Sequence, residues 1–200
     1  MHPNAAFRFR ADDDALAFVA AHGFSHIYGV TPDGPRVAHA PLLVCSDGLL
    51  RFHLANANAL AAHLEGQQVL VSIGGPGSYI SPNWYGDPAS HVPTWNYRTV
   101  EIEGTVRALS FDELGDLLDR SAATFEPRVG EDWTMAKMAP SRAEAMMRSI
   151  TGFALTVGVI RSTDKASQNR SDDDARRLVA ALERSGDVSG ANEIRRVRGW

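Results

Sequence analysis

Four stretches of the chain collect side chains able to do chemistry. The first is a histidine pair. His39 and His53 each fall near the end of an expected strand, and neighbouring antiparallel strands bring such residues close together. A histidine placed there either moves protons near neutral pH or is a half-buried ring bonded to backbone, and the residues leave both open. The second is Leu54-Ala55-Asn56-Ala57-Asn58-Ala59-Leu60, read as a strand passing into a helix over about residues 58–65. Free N–H groups at such a helix start suit a phosphate, although any Asn-capped helix reads the same way. The third is aromatic: Tyr79, Trp84, Tyr85, Trp95 and Tyr97 are five of the eight Trp and Tyr residues, gathered in one irregular stretch. Amphipathic rings at that density pack across an interface, cover a planar ligand, or do both. The fourth is Lys165-Ala166-Ser167-Gln168-Asn169-Arg170, whose cations can meet an anion and whose amides can address a heterocycle. It reads equally as a surface loop ahead of a helix capped by Ser171.

The common catalytic signatures are missing: there is no Gly-x-Ser-x-Gly elbow, no Walker loop, no His-Glu-x-x-His and no Cys-x-x-Cys. Gly74-Gly75-Pro76-Gly77 lacks the Lys-Ser/Thr of a phosphate loop and reads as a turn leaving a strand. His22 and His26 stand four apart with Gly23 between them and no carboxylate at ligand spacing, so no metal site is expected. Cys45 is the one cysteine, which excludes a disulfide framework.

These stretches need elements to hold them. Asp12–Asp14 open a short helix that Gly23 stops. Strands are expected at about 24–31, 36–45 and 49–54, joined by Pro32-Asp33-Gly34-Pro35 and Ser46-Asp47-Gly48 as an antiparallel meander. Further strands are expected at about 67–73, 99–109 and 150–160, with residues 74–97 irregular. Ser110-Phe111-Asp112-Glu113 reads as a capping box before the stripe Leu114, Leu117, Leu118, Ala122, Phe125, and Ser141-Arg142-Ala143-Glu144 as a second box. The pattern is α+β, about six antiparallel strands in a small barrel with peripheral helices.

Composition is that of a globular chain, with 44% hydrophobic and 22% charged residues in 200. The net charge is −4, and neither half is basic, with 5 Lys+Arg against 7 Asp+Glu in residues 1–100 and 15 against 17 in residues 101–200. That balance argues against direct nucleic-acid binding. No apolar run is long enough to span a membrane, and a cytoplasmic protein is expected.

Several of these stretches match one family in order. His22-Gly23-Phe24, His39-Ala40-Pro41-Leu42-Leu43, His53-Leu54-Ala55-Asn56-Ala57-Asn58, Tyr79-Ile80-Ser81-Pro82-Asn83-Trp84-Tyr85, Pro93-Thr94-Trp95-Asn96-Tyr97 and Ser167-Gln168-Asn169-Arg170 resemble the PaiB-like FMN-binding negative transcriptional regulators. The resemblance covers roughly residues 1–185 and leaves 186–200 as a polar, basic, loosely held tail. It implies a split β-barrel homodimer with FMN in the groove between subunits, its phosphate near His53–Asn58 and its ring along His39–Leu42. Carried over residue by residue, the cofactor set is His39, Pro41, Leu42, His53, Leu54, Asn56, Asn58, Tyr79, Ile80, Ser81, Trp95, Asn96, Lys165, Gln168, Asn169 and Arg170. Three departures stand out: Asn56 and Ala59 replace the family's Arg and Pro, Gly77 replaces the His of its Gly-Pro-His, and only Lys165 remains of its Lys-x-Lys. The function implied is a flavin-binding regulator acting through a partner or its redox state. The alternatives are an FMN-dependent oxidoreductase acting on a small molecule, or a dimeric binding module that has lost FMN.

Overall fold

A computed structural model describes all 200 residues, which form seven strands, five α-helices and short 3-10 turns. The strands are β1 (Phe24–Thr31), β2 (Gly34–Pro41), β3 (Leu43–Val44), β4 (Leu49–Ala55), β5 (Gln68–Ile80), β6 (Thr94–Ala108) and β7 (Ile150–Lys165). The helices are α1 (Asp12–His22), α2 (Phe111–Phe125), α3 (Pro140–Met147), α4 (Asp172–Arg184) and α5 (Val188–Arg198). The sheet order is β2-β1-β5-β6-β7-β4-β3, and the α+β class holds. The chain resolves into two compact units, one of residues 1–15, 74–100 and 161–200, the other of residues 16–73 and 101–160.

In the second unit, β1 and β2 form the expected hairpin, with His26 opposite His39 and Tyr28 opposite Val37. Alternation buries Ser25, Ile27 and Thr31 and leaves Phe24, Tyr28 and Val30 outward. The expected meander stops at Pro41, which has no N–H to carry the ladder on. The Leu42 N–H turns instead to the Gly23 carbonyl at 2.7 Å, and a separate two-residue strand, β3, begins. That break gives seven strands where about six were expected. It also makes β4 pair with β3 and β7 rather than with β2.

The helix expected over 58–65 is not formed. Four-residue turns take its place, with Ala61 N–H bonded to Asn58 O, His63 N–H to Leu60 O and Gln67 N–H to Leu64 O. The Ser110–Glu113 capping box is present at the start of α2, whose Leu114 and Leu117 pack with Leu43, Cys45 and Met147. The Ser141 box is not, because Pro140 supplies the first residue of α3 and Ala139 precedes it without a side-chain cap. Gly104 in β6 is forced: a Cβ there would lie 2.2 Å from the Thr156 carbonyl oxygen, which is backbone and has no room to yield.

In the first unit, β5 continues through Gly74–Ile80, and β6 already begins at Thr94, so only residues 81–93 of the expected irregular stretch are irregular. Ser171 caps α4 as expected. Residues 188–198, read as a loose tail, are helical. Asp187 caps α5 by accepting the Gly190 N–H at 2.8 Å, and Ala191 and Ile194 are buried with Leu178, Val179 and Leu182 of α4. Spacing of i, i+1 and i+4 suffices for one narrow buried face on an otherwise polar segment.

Candidate functional site

In the first unit, the aromatic stretch and the 165–170 loop meet. Lys165 ends β7 and its Nζ bonds to Thr94 Oγ1 at the start of β6. Trp95, the next residue, is 56% exposed and packs edge-on against Tyr79, itself 45% exposed, with ring centroids 5.9 Å apart. Large rings left this open are the unusual observation, since aromatic side chains in a folded chain normally bury most of their area. The Arg170 guanidinium lies over the Tyr85 ring, 5.1 Å from its centroid. Neither Lys165 nor Arg170 pairs with a carboxylate, whereas Arg98, Arg195, Arg196 and Arg198 of the same unit do. Burial, and then the charge of Arg170, push the Lys165 ammonium below its ordinary value. An anion arriving there would offset both effects with an opposite charge.

The rest of the loop is fixed from within. Asn96 is buried, its Nδ2 donating to Ser167 Oγ at 2.9 Å, and the Ser167 hydroxyl lies 3.2 Å from Asn96 Oδ1. Ser167 sits at φ +58°, a left-handed conformation that serine adopts only when its surroundings hold it there. Gln168 accepts the Ala166 N–H at 2.8 Å and donates to the carbonyls of Asp164 and Ala6 at 2.5 and 3.3 Å. Asn169 is exposed. Ser81 caps the turn at Pro82–Trp84, and Ile80 is fully buried in the α4–α5 core, so it faces a ligand only through backbone. A small cavity nearby is lined by Ser78, Asn96, Arg98, Lys165 and Glu193 among others, with room for about one water.

In the second unit, His39 and His53 do not share a ladder. His39 is exposed on β2, and its cross-strand neighbour is His26, with ring centroids 4.9 Å apart. His53 stands opposite Gly152 on β7, on the half-buried face of β4 that carries Arg51, and burial pushes its imidazole below 6.5. Pro41 is exposed, while Leu42 and Leu54 are core residues. Asn56 donates from Nδ2 to the Arg148 carbonyl at 2.9 Å and accepts from Thr151 Oγ1 at 2.8 Å. Asn58 Oδ1 accepts the Leu60 N–H at 3.0 Å. With turns instead of a helix after Asn58, the phosphate site expected at a helix start has no helix behind it.

A charge network went unread in the sequence. Arg98 and Arg196 surround Asp164, at 3.6 and 2.6 Å, and each also approaches Glu193, at 3.7 and 2.7 Å. Its members come from β6, β7 and α5, so no local spacing announced it.

The fold is that of the split-barrel flavin-binding proteins. The flavocytochrome Anf3 from Azotobacter vinelandii superposes with a TM-score of 0.68 at 14% identity, over 88% of this chain and 78% of that one. A FAD- and heme-binding protein from Mycobacterium smegmatis does so with a TM-score of 0.63 at 15% identity, over 84% and 78%. Residues 1–158 match the family described as "Putative FMN-binding domain", and the chain belongs to that family, which makes FMN its cofactor. A curated relative, protease synthase and sporulation protein PAI 2 of Bacillus subtilis, is 28% identical over 181 residues, 88% of this chain and 86% of that protein.

Proposed function

We propose that this chain is a homodimeric FMN-binding regulator in which Lys165 and Arg170 hold the cofactor's phosphate and Tyr79 and Trp95 contact its ring. The observation that carries this reading is that one unit holds both two cations without carboxylate partners, Lys165 and Arg170, and two open aromatic rings, Tyr79 and Trp95. That is the donor set an anionic, planar ligand requires.

Bound FMN supplies reversible redox chemistry, while the chain's residues bind it and set its surroundings. A net charge of −4, with neither half of the chain basic, favours regulation through a protein partner or the flavin's state over direct contact with DNA. The homodimer is supported by the outer face of the β1–β2 hairpin, where Phe24, Tyr28, Val30 and Val37 are all exposed. An apolar patch of this kind on a sheet edge marks an association surface.

The test is a fluorescence titration of the Lys165→Met variant with FMN and with riboflavin, which lacks the phosphate. Loss of affinity for FMN of about tenfold or more, with riboflavin unchanged, is expected for a lost charge-assisted phosphate contact. Equal affinities of variant and parent for FMN would remove Lys165 from the site.

A further inference from the structure

We infer that helix α5 sets the conformation of the Lys165–Arg170 loop and that Arg198 is the positioning residue through which it does so. Its functional consequence rests on the reading of that loop as part of the flavin site; the positioning itself does not. Both α5 and the loop lie beyond the residues that match the family.

The loop is bracketed from one helix. At its beginning, Arg196 Nη2 donates to Asp164 Oδ1 at 2.6 Å. At its end, Arg198 Nη2 donates to two loop carbonyls, Arg170 O at 2.6 Å and Ser167 O at 3.2 Å, while Nη1 bonds to Asp172 just beyond. Bonds from a guanidinium to two carbonyls three residues apart fix the turn between them, because its donors diverge in a rigid plane. The same Ser167 carbonyl accepts the Arg170 N–H at 3.1 Å, closing the turn. Ser167 is the residue held at positive φ, so an outside constraint acts where the loop has most need of one.

Arg198 is itself held. Its side chain is 11% exposed, and the Trp200 ring contacts both the Arg198 and the Arg176 guanidinium groups, at 5.3 and 5.1 Å. The helix has little freedom to slide. A Cβ on Gly190 would meet Ser78 Oγ at 2.1 Å, so α5 lies directly against β5. A ligand meeting Lys165 and Arg170 therefore meets a loop whose geometry was set before binding, which lowers the ordering cost of binding.

The experiment compares the full chain with Arg198→Met and Arg198→Lys, using Arg195→Ala as the control, since Arg195 pairs with Glu183 away from the loop. Amide hydrogen exchange is read first without FMN, and FMN affinity is read second. In Arg198→Met, exchange of residues 166–170 is expected to rise about tenfold with Leu178 and Ile194 unchanged, and FMN affinity to fall by a similar factor. Arg198→Lys, which keeps a donor but not the fork, recovers part of both effects, and Arg195→Ala changes neither. Unchanged exchange at 166–170 overturns the inference. Faster exchange with unchanged FMN affinity upholds the positioning and instead removes the loop from the flavin site. If Arg198→Met does not fold, Trp200→Leu, which removes only the ring that contacts Arg198, carries the same two readouts.

Discussion

Thr151 Oγ1 donates to Asn56 Oδ1 at 2.8 Å, tying β7 to the residue that follows β4. The other end of the same amide holds the Arg148 carbonyl, and the Asn56 N–H holds the Ser149 carbonyl at 2.9 Å. The position has become a staple between two segments more than ninety residues apart. In the proposed reading, positive charge for a phosphate comes from Lys165 and Arg170.

Asn56→Ala removes both side-chain bonds at an exposed site where water can replace them. The expected cost is about 1 kcal/mol in urea unfolding. A midpoint identical to that of the parent would mean the staple does not form in solution.

Gly190→Ala brings a methyl group into Ser78 Oγ and Asp187 Oδ2, at 2.1 and 2.8 Å. Alanine's better helix propensity, about 1 kcal/mol, is outweighed by overlap at those distances, and a net loss of roughly 1–3 kcal/mol is expected. Adding Ser78→Gly opens the contact and restores part of that loss, so the double variant should melt above Gly190→Ala alone.

His53 gives stability a slope on the acid side of neutrality. Burial lowers its folded-state value below 6.5, so the unfolded chain protonates first as pH falls. The contribution is complete above 6.5 and is lost as pH falls from there through the folded value. Urea midpoints at several pH values across that window should decline more steeply for the parent than for His53→Gln. Parallel slopes would mean the ring is solvated.

Val30 is 61% exposed on the outer face of β1. A charge placed there is harmless to a monomer and costly within an apolar interface. Sedimentation velocity should show a dimeric parent and a monomeric Val30→Glu variant. A monomeric parent, or a variant as dimeric as the parent, would take the interface off this face.

Much of this fold was legible because the deciding signals are local. The Ser110–Glu113 box, the acidic first turn of α1, the Ser171 cap and the alternation of β1 each need only a few neighbouring residues. Pro41 was legible as a residue but not as a break, since its effect appears only when the Leu42 N–H finds Gly23. Residues 58–65 carried helix-forming alanines and an Asn cap, yet Asn58 spends its side chain on a tight turn at Leu60. The candidate site divides the same way. The aromatic stretch and the Lys165–Arg170 loop stood out by type, whereas the Thr94–Lys165 bond, the Asp164 network and the reach of Arg198 join residues about 30 to 70 apart. Polar, arginine-rich residues 186–200 gave no hint that Ala191 and Ile194 would be buried.

The central claim is that this chain holds FMN, and the most direct measurement is a visible absorbance spectrum of the purified protein after FMN has been added and the free flavin removed by desalting. The account predicts a flavin spectrum that stays with the protein, at up to one FMN per chain, and that is weakened in Lys165→Met. A colourless protein after desalting, with no change in its own tryptophan fluorescence on titration with FMN, would contradict it.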